Sequence, residues 1–179
     1  MLVELVLFVK NPVKQAAFYV QAFNMKVLDE KEDGGVTVGY GQLLKSPRSD
    51  INVCFKPCKQ NKAADDTTKT VSAQSERYWK IGIGVPNVDL AVAHVKAVGG
   101  TSSDGAQFKN IGYVAHVKDP EGFCIELLQF TFGKVEQLST TSEQPQTTMN
   151  AFADARIGQV TLRAKNKAAM TECWQTRLN

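Results

Sequence analysis

The chain has 179 residues, of which 43% are apolar, and its 21 basic and 18 acidic residues give a formal net charge of +3. This length and apolar content suit one globular domain with an appendage. The charges are scattered, without the basic block that a nucleic-acid partner favours. No apolar run approaches the roughly 20 residues that cross a bilayer, and no leader pattern follows Met1. We therefore expect a cytoplasmic protein with no membrane or nucleic-acid partner.

The first unit, residues 1–57, predicts the order β-α-β-β-β. After an opening strand, Asn11 suits a helix cap and Pro12 suits the first helical position. Apolar residues continue at helical spacing up to Asn24, where we expect the helix to end. Three further strands are predicted, over residues 25–29, 36–40 and 51–55.

The second unit, residues 78–133, repeats this order. Its last two strands are joined by Asp119-Pro120-Glu121-Gly122, which is typical of a type I turn. Alternation in the last strand places Glu126 in the middle of an otherwise apolar segment. An ionised carboxylate at such a position is costly unless it meets a cation, a metal, hydrogen-bond donors or water. Glu126 therefore needs a partner from elsewhere in the fold.

A third copy begins near the end of the chain. Residues Glu4–Asn24 align without a gap onto Gln159–Asn179, and Lys10-Asn11 falls on Lys165-Asn166. Residues 157–179 thus predict a further module that stops after one strand and one helix, either as the start of another domain or as an arm that docks elsewhere. Residues 134–156 are rich in Gln, Ser and Thr, which predicts an extended linker. Because one such unit cannot bury its sheet face alone, we expect the units to pair.

The paired βαβββ units, the strand-Asn-Pro-helix opening and the final Asp-Pro-x-Gly-x-x-x-Glu pattern together resemble the vicinal oxygen chelate superfamily. That superfamily includes glyoxalase I, extradiol dioxygenases and bleomycin-binding proteins. The resemblance covers roughly residues 2–132, so residues 1–133 are interpreted as one complete domain. It implies an α+β fold in which paired βαβββ modules form a cup-shaped mixed β-sheet.

In the metal-using members, the resemblance implies a divalent ion held on the concave face by the first and last strands of each unit. Carried onto this chain, the corresponding positions are Glu4, Asn52, Lys80 and Glu126. Lys80 does not suit a ligand position, since an ammonium group has three donors and no lone pair. Neighbouring carboxylates favour its charged form. We therefore expect Lys80 to replace the metal as a cation between Glu4 and Glu126.

A divalent metal (Zn, Ni, Mn or Fe) is the alternative occupant of the cup. Its candidate ligands are Glu4, Asn52, Glu126 and, if the third copy packs against another unit, Gln159. In the favoured interpretation no cofactor is needed and the cup binds a small molecule. The predicted ligand-binding residues on the concave face are Phe8, Cys54, Lys80, Val114, His116, Glu126 and Leu128.

Two features of the second unit refine this site. Gly82 and Gly84 lie on the cup side of their strand and leave room above it. His116 is interpreted as a pocket-lining acid, base or hydrogen-bond partner, or else as a residue that fills the sheet face.

The leading function is a metal-independent small-molecule-binding protein, similar to the antibiotic-sequestering members of the superfamily. The alternative is an enzyme, either a metal-dependent lyase or isomerase of the glyoxalase type or a dioxygenase. A scaffold with a vestigial pocket is the third interpretation. The resemblance also predicts a homodimer, because relatives with one domain per chain complete their sites across two subunits.

Overall fold

The computed structural model of the chain describes residues 4–41, 51–58, 78–109, 112–129, 151–163 and 165–177. The elements in chain order are β1 (Glu4–Val9), α1 (Pro12–Phe23), β2 (Lys26–Glu30), β3 (Val36–Gly39), β4 (Asn52–Pro57), β5 (Tyr78–Val85), α2 (Val88–Ala97), β6 (Thr101–Ser102), β7 (Ala106–Phe108), β8 (Gly112–Lys118), β9 (Cys124–Gln129), β10 (Arg156–Leu162) and α3 (Lys167–Arg177). None of these helices is long and apolar enough to cross a membrane.

The strands form two sheets built on the same plan. The first sheet has the order β1-β4-β3-β2, and the second has the order β10-β5-β9-β8-β6, with β7 also paired to β8. In each unit the first strand pairs in parallel with the last, β1 with β4 and β5 with β9. The remaining pairs, including that of β10 with β5, are antiparallel. The predicted α+β fold of βαβββ modules with mixed sheets is confirmed.

Each helix begins after an asparagine whose side chain caps it. The Oδ1 atoms of Asn11, Asn87 and Asn166 accept hydrogen bonds from the backbone N–H groups three residues further on, at 2.9, 3.0 and 3.1 Å. Such bonds satisfy N–H groups that have no partner inside the helix. α1 ends at Asn24, as predicted, and the φ of 54° at this residue is the left-handed conformation typical of a helix end.

One hydrophobic cluster joins the two complete units. It contains Tyr19 and Phe23 of α1 together with Phe55 of β4 and Ile125 of β9, all of them fully buried. The Tyr19 and Phe55 rings meet edge to face, with their centroids 4.8 Å apart. The other face of the first sheet is more exposed, because successive side chains of a strand point to opposite faces. In β1, Leu7 is 5% exposed whereas its neighbour Phe8 is 57% exposed.

The turn between β8 and β9 forms hydrogen bonds that connect the second unit to the first. The Gly122 N–H donates to the Asp119 carbonyl at 2.9 Å, which closes the predicted turn. Within this turn, the Glu121 carboxylate accepts from the backbone N–H groups of Lys10, at 2.8 Å, and Asn11, at 3.2 Å. A carboxylate just before α1 is also favoured by the partial positive charge of the helix N-terminus. Glu121 therefore orients α1 relative to the second sheet.

The last part of the predicted linker is packed against the core rather than extended. Phe152 and Ala155 are only 4% and 1% exposed. The Phe152 ring contacts Phe23 and His94, with centroid separations of 6.0 and 5.6 Å. The few apolar side chains at this end of a polar segment account for the difference. Residues 134–150 of the linker lie outside the described residues, and the domain boundaries stay a prediction.

Candidate ligand-binding site

The segment predicted to be a third copy packs against the second unit through β10, which lies along the outer edge of β5. Gln159 is opposite Gly82 and Thr161 is opposite Lys80, with Val160 and Ile81 as the pair between them. This antiparallel register relates the two strands by a local two-fold axis through that central pair. Packing of this segment against another unit is the condition under which Gln159 is predicted to contribute to the site of that unit.

A cavity of about 460 Å³ opens over the junction of β5 and β10. Its lining residues are Gly82, Gly84, Leu128, Gln129, Asp154, Arg156, Gly158 and Gln159. The two glycines of β5 leave the room predicted for them, and a Cβ added at Gly82 would lie 3.1 Å from the Cβ of Gln159. The volume falls within the range of about 300–1,000 Å³ that is usual for small-molecule sites.

A cluster of ionisable side chains lies on the same face of the second sheet. The Lys80 Nζ donates a hydrogen bond to Oε2 of Glu126, and Nε2 of His116 lies 3.1 Å from the same oxygen. In the register, Glu126 is opposite both Gly82 of β5 and His116 of β8. The side chains of Lys80 and Glu126 are 13% and 11% exposed. Glu126 thus has the cationic partner that its apolar surroundings require.

The Lys80–Glu126 pair is poorly solvated on both sides, so its two charges depend on each other. At an intermediate effective dielectric, opposite charges about 4 Å apart attract by roughly 4 kcal/mol before desolvation is subtracted. Removing one member of a buried pair costs about 3–5 kcal/mol, because the other charge is left unpaired. The Lys80 ammonium also lies 4.9 Å from the centroid of the Trp79 ring, close enough for a cation–π contact.

Glu4 does not join this cluster, which corrects the prediction that Lys80 lies between two glutamates. Glu4 belongs to β1 of the first sheet, where its Oε2 lies 3.7 Å from Nζ of Lys31. The other first-unit metal candidate, Asn52, is opposite Glu4 in the pairing of β1 with β4. The physical reason is that β10 occupies the outer edge of β5, so β1 remains in a separate sheet.

Two predicted ligand-binding residues, Phe8 and Cys54, also lie in the first sheet. Phe8 is largely exposed, and Cys54 is fully buried, with its Sγ 3.7 Å from Nζ of Lys31. The other five share one face of the second sheet: Lys80, Val114, His116, Glu126 and Leu128. Of these five, Leu128 lines the cavity, whereas the charged cluster is beside it.

Arg156 and Asp154 line the cavity without having been predicted as site residues. Arg156 is opposite Gly84 and shares the cavity face with Gln159 because a bulge lies between Ile157 and Gln159, whereas simple alternation would have placed Arg156 and Gln159 on opposite faces. A bulge cannot be located from alternation alone. The glycine at position 158 is the one sequence signal that indicated it.

The surroundings of Glu126 do not fit a divalent cation. The Lys80 ammonium binds Oε2 of the Glu126 carboxylate, and its positive charge repels a second cation at that position. His116 contacts the same oxygen, and Gln159 bonds through its Nε2 to the Thr161 hydroxyl at 2.9 Å. Within the described part of the chain, no group of three His, Cys, Asp or Glu side chains is arranged to hold a metal.

The family model for the Glyoxalase/Bleomycin resistance protein/Dioxygenase superfamily matches residues 2–127 of the chain. A search of the curated proteins with this chain finds no match.

Several solved structures share the fold at low sequence identity. A variant of glyoxalase I from Zea mays is 18% identical with a TM-score of 0.53, over 71% of this chain and 43% of that one. The antibiotic binding protein TnmS3 from Streptomyces sp. CB03234 is 16% identical with a TM-score of 0.53, over 72% of this chain and 94% of that one. Lactoylglutathione lyase from Agrobacterium tumefaciens is 15% identical with a TM-score of 0.51, over 73% and 93%. The chain thus spans less than half the length of the maize protein, and likeness at these identities shows the fold alone.

Proposed function

The chain belongs to the Glyoxalase/Bleomycin resistance protein/Dioxygenase superfamily, and from this premise we propose that it is a metal-independent small-molecule-binding protein. The ligand binds in the cavity over β5 and β10. The observation that carries the proposal is the Lys80–Glu126 ion pair, which places an ammonium group on the carboxylate that metal-using relatives, by the resemblance, give to an ion. The fold is shared with TnmS3, an antibiotic binding protein.

The cavity lining indicates the chemistry of the ligand. Gly82 and Gly84 expose backbone rather than side chains, and Leu128 adds an apolar surface beside them. Arg156 and Gln159 contribute polar groups along β10. An apolar floor with a few polar groups suits a ligand that has a planar apolar part and hydrogen-bonding or charged substituents. Sequestration of such a compound, as for an antibiotic, needs binding but no chemical step.

The competing function is a divalent-metal-dependent lyase or isomerase of the glyoxalase type, or a dioxygenase. Such an enzyme would need Glu126 to exchange its bond with Lys80 for a bond to the metal. Its other candidate ligands are dispersed, since Glu4 and Asn52 lie in the first sheet and Gln159 lies across β5. The ion pair therefore favours the binding protein over the enzyme.

We also propose that the protein acts as a homodimer in the cytoplasm. β1 is the terminal strand of the first sheet, and an edge strand with exposed apolar side chains is a surface on which another chain can pair. Cys54 and Cys58 form no disulfide, which suits a reducing compartment.

A cavity-filling substitution tests the function. Gly158 lines the cavity, has no positive φ, and an added Cβ there would meet nothing within 4 Å, so Gly158→Phe fills the site without backbone strain and Gly158→Ala is its matched control. We expect planar antibiotics with cationic or hydrogen-bonding groups to raise the melting temperature of the wild type and of Gly158→Ala, but not of Gly158→Phe.

Elemental analysis of protein purified without added metal completes this test. The proposal predicts no stoichiometric Zn, Ni, Mn or Fe. One equivalent of metal that disappears in Glu126→Gln would contradict it and favour the enzyme. If the ligands raise the melting temperature equally in the wild type, Gly158→Ala and Gly158→Phe, the binding site lies outside this cavity.

A further inference from the structure

The turn that leads into β10 presents an acidic side chain, Asp154, to the cavity over β5 and β10. In this turn the backbone N–H of Ala155 donates to the Phe152 carbonyl at 3.2 Å. Phe152 and Ala155 are buried on either side of Asp154, whereas Asp154 itself is exposed. Because the residues around it are packed against the core, the fold fixes the position of Asp154 at the cavity.

The backbone at Asp154 has an uncommon conformation. Its φ of 54° lies in the left-handed region, which residues other than glycine seldom adopt. Aspartate tolerates this region because its short side chain can hydrogen-bond locally to the backbone. Among the described residues, however, the Asp154 carboxylate has no hydrogen-bond or ion-pair partner. Backbone strain of this kind clusters at ligand sites, and here it holds a carboxylate that is available to a ligand.

The other polar side chains of the lining offer an acceptor rather than a donor. Gln159 donates from Nε2 to the Thr161 hydroxyl at 2.9 Å, which leaves its Oε1 as an acceptor. This oxygen lies 3.7 Å from the point where a Cβ on Gly82 would stand. Arg156 and Gln129, whose side chains can donate, already have partners. A ligand that fits this lining therefore brings its own hydrogen-bond donors.

A second carboxylate, that of Glu126, lies on the same face of the sheet but already has a cation. Glu126 is opposite Gly82, and the Lys80 ammonium group binds its Oε2. A cationic group of a ligand would have to displace this ammonium group in order to reach Glu126. Asp154 can accept a cationic group without any such exchange, so it is the carboxylate that a ligand meets in the cavity.

We propose that Asp154 determines the specificity of the cavity and selects planar aromatic ligands that carry an amidinium or ammonium group. The ring lies against Gly82 and Gly84, where no side chain covers the peptide groups, and the cationic group donates to the Asp154 carboxylate. Hydrogen bonds between charged groups are roughly twice as strong as those between neutral groups, so charge separates these ligands from uncharged ones of the same shape. The assignment rests on the ligand-binding function proposed above, and it adds the charge of the ligand and the residue that recognises it.

Three probes of nearly the same shape test the selectivity. They are the amidine, the amide and the carboxylate of naphthalene, which at neutral pH are a cation, an uncharged molecule and an anion. Titration of the wild type, followed by the fluorescence of the naphthalene ring, is expected to give a dissociation constant for the amidine on the order of tenfold below that of the amide. The carboxylate should bind more weakly than the amide, because like charges repel.

Asp154→Asn removes the charge and keeps the shape of the side chain, and asparagine also adopts the left-handed conformation. We expect this variant to fold with a melting temperature close to that of the wild type and to bind the amidine no more tightly than the amide. Asp104→Asn is the matched control, because it removes the same charge from an exposed carboxylate outside the cavity lining. It should keep the preference of the wild type for the amidine.

The outcomes separate charge selection from ligand binding as such. A wild type that binds the amidine and the amide equally, or that binds neither, overturns the assignment to Asp154, and so does a preference that survives in Asp154→Asn. If Gly158→Phe loses both probes while Asp154→Asn behaves as the wild type, binding in the cavity stands and selection by Asp154 falls. If Gly158→Phe binds both probes as the wild type does, the cavity is not their site and both proposals fall.

Discussion

Protonation of Asp119 is predicted to change the stability of the contact between the two units. Asp119 is 5% exposed, and its carboxylate accepts hydrogen bonds from the Gln15 side chain, from the Tyr19 hydroxyl at 3.1 Å and from the Phe123 N–H at 2.9 Å. Burial raises the pKa of Asp119 from 3.8 to about 6, although the hydrogen bonds from Phe123 and Tyr19 act in the opposite direction.

The sign of the effect follows from proton linkage. Between these two pKa values the folded protein binds the proton more tightly than the unfolded chain does, so stability falls as the pH rises. The stabilisation from Asp119 is complete below pH 3.8 and is lost by the time the pH has passed about 6. At 1.36 kcal/mol per pKa unit, the difference amounts to roughly 3 kcal/mol.

Asp119→Asn isolates this contribution, since the amide does not titrate. We expect the free energy of unfolding of Asp119→Asn, measured by urea denaturation, to improve relative to the wild type by up to roughly 3 kcal/mol between about pH 4 and pH 7. The substitution also alters hydrogen bonding, which shifts the free energy of unfolding by the same amount at every pH. That shift does not change how the difference between variant and wild type varies with pH. Asp104→Asn is the control, because Lys96, whose Nζ lies 2.7 Å away, holds the pKa of this exposed carboxyl below its usual range. A flat difference for Asp119→Asn, or one that moves in favour of the wild type as the pH rises, would refute the reasoning.

Four further substitutions test three other contacts. Lys80→Met and Glu126→Leu are each expected to lower the free energy of unfolding by about 3–5 kcal/mol, whereas the double variant recovers most of the loss in a double-mutant cycle; strictly additive losses would show that the two charges do not depend on each other. Glu121→Ala should cost about 1–3 kcal/mol, because two backbone N–H groups lose a charged acceptor, and thermal unfolding at neutral pH measures it. Asn87→Ala should cost about 1 kcal/mol through loss of the α2 cap, and an unchanged melting temperature would contradict that role.

Local signals in the sequence were sufficient to predict most of the fold. Asn11 and Asn87 mark the helix starts, and Asn24 and Asp119-Pro120-Glu121-Gly122 mark a helix end and a turn, because each depends on the backbone preferences of a few adjacent residues. The alternation of β9 likewise placed Glu126 on the same face as Leu128. The resemblance to the superfamily implied that Lys80 stands at the facing position, and the chemistry of an ammonium group then predicted an ion pair between the two.

The separation of Glu4 from Lys80 was not predicted, because it depends on which units pair. The prediction that Glu4 meets Lys80 assumed that the first two units share one cup, whereas β10 occupies the edge of β5. Which strand pairs with the edge of β5 is decided by competition among similar strands, so it cannot be predicted from the sequence of any one strand. Arg156 was missed because the bulge at Gly158 shifts the alternation. Phe152 was missed because average composition over a polar segment conceals one buried ring.

Metal-independent ligand binding, as proposed, depends on Lys80 holding the carboxylate of Glu126. Isothermal titration of the wild type and of Lys80→Gln with Zn²⁺ and Ni²⁺ tests this most directly, since glutamine has the shape of a ligand without the charge of the lysine. We predict no stoichiometric binding to the wild type and measurable binding to Lys80→Gln, lost again in Lys80→Gln/Glu126→Gln. Stoichiometric binding to the wild type that disappears in Glu126→Gln alone would contradict the account.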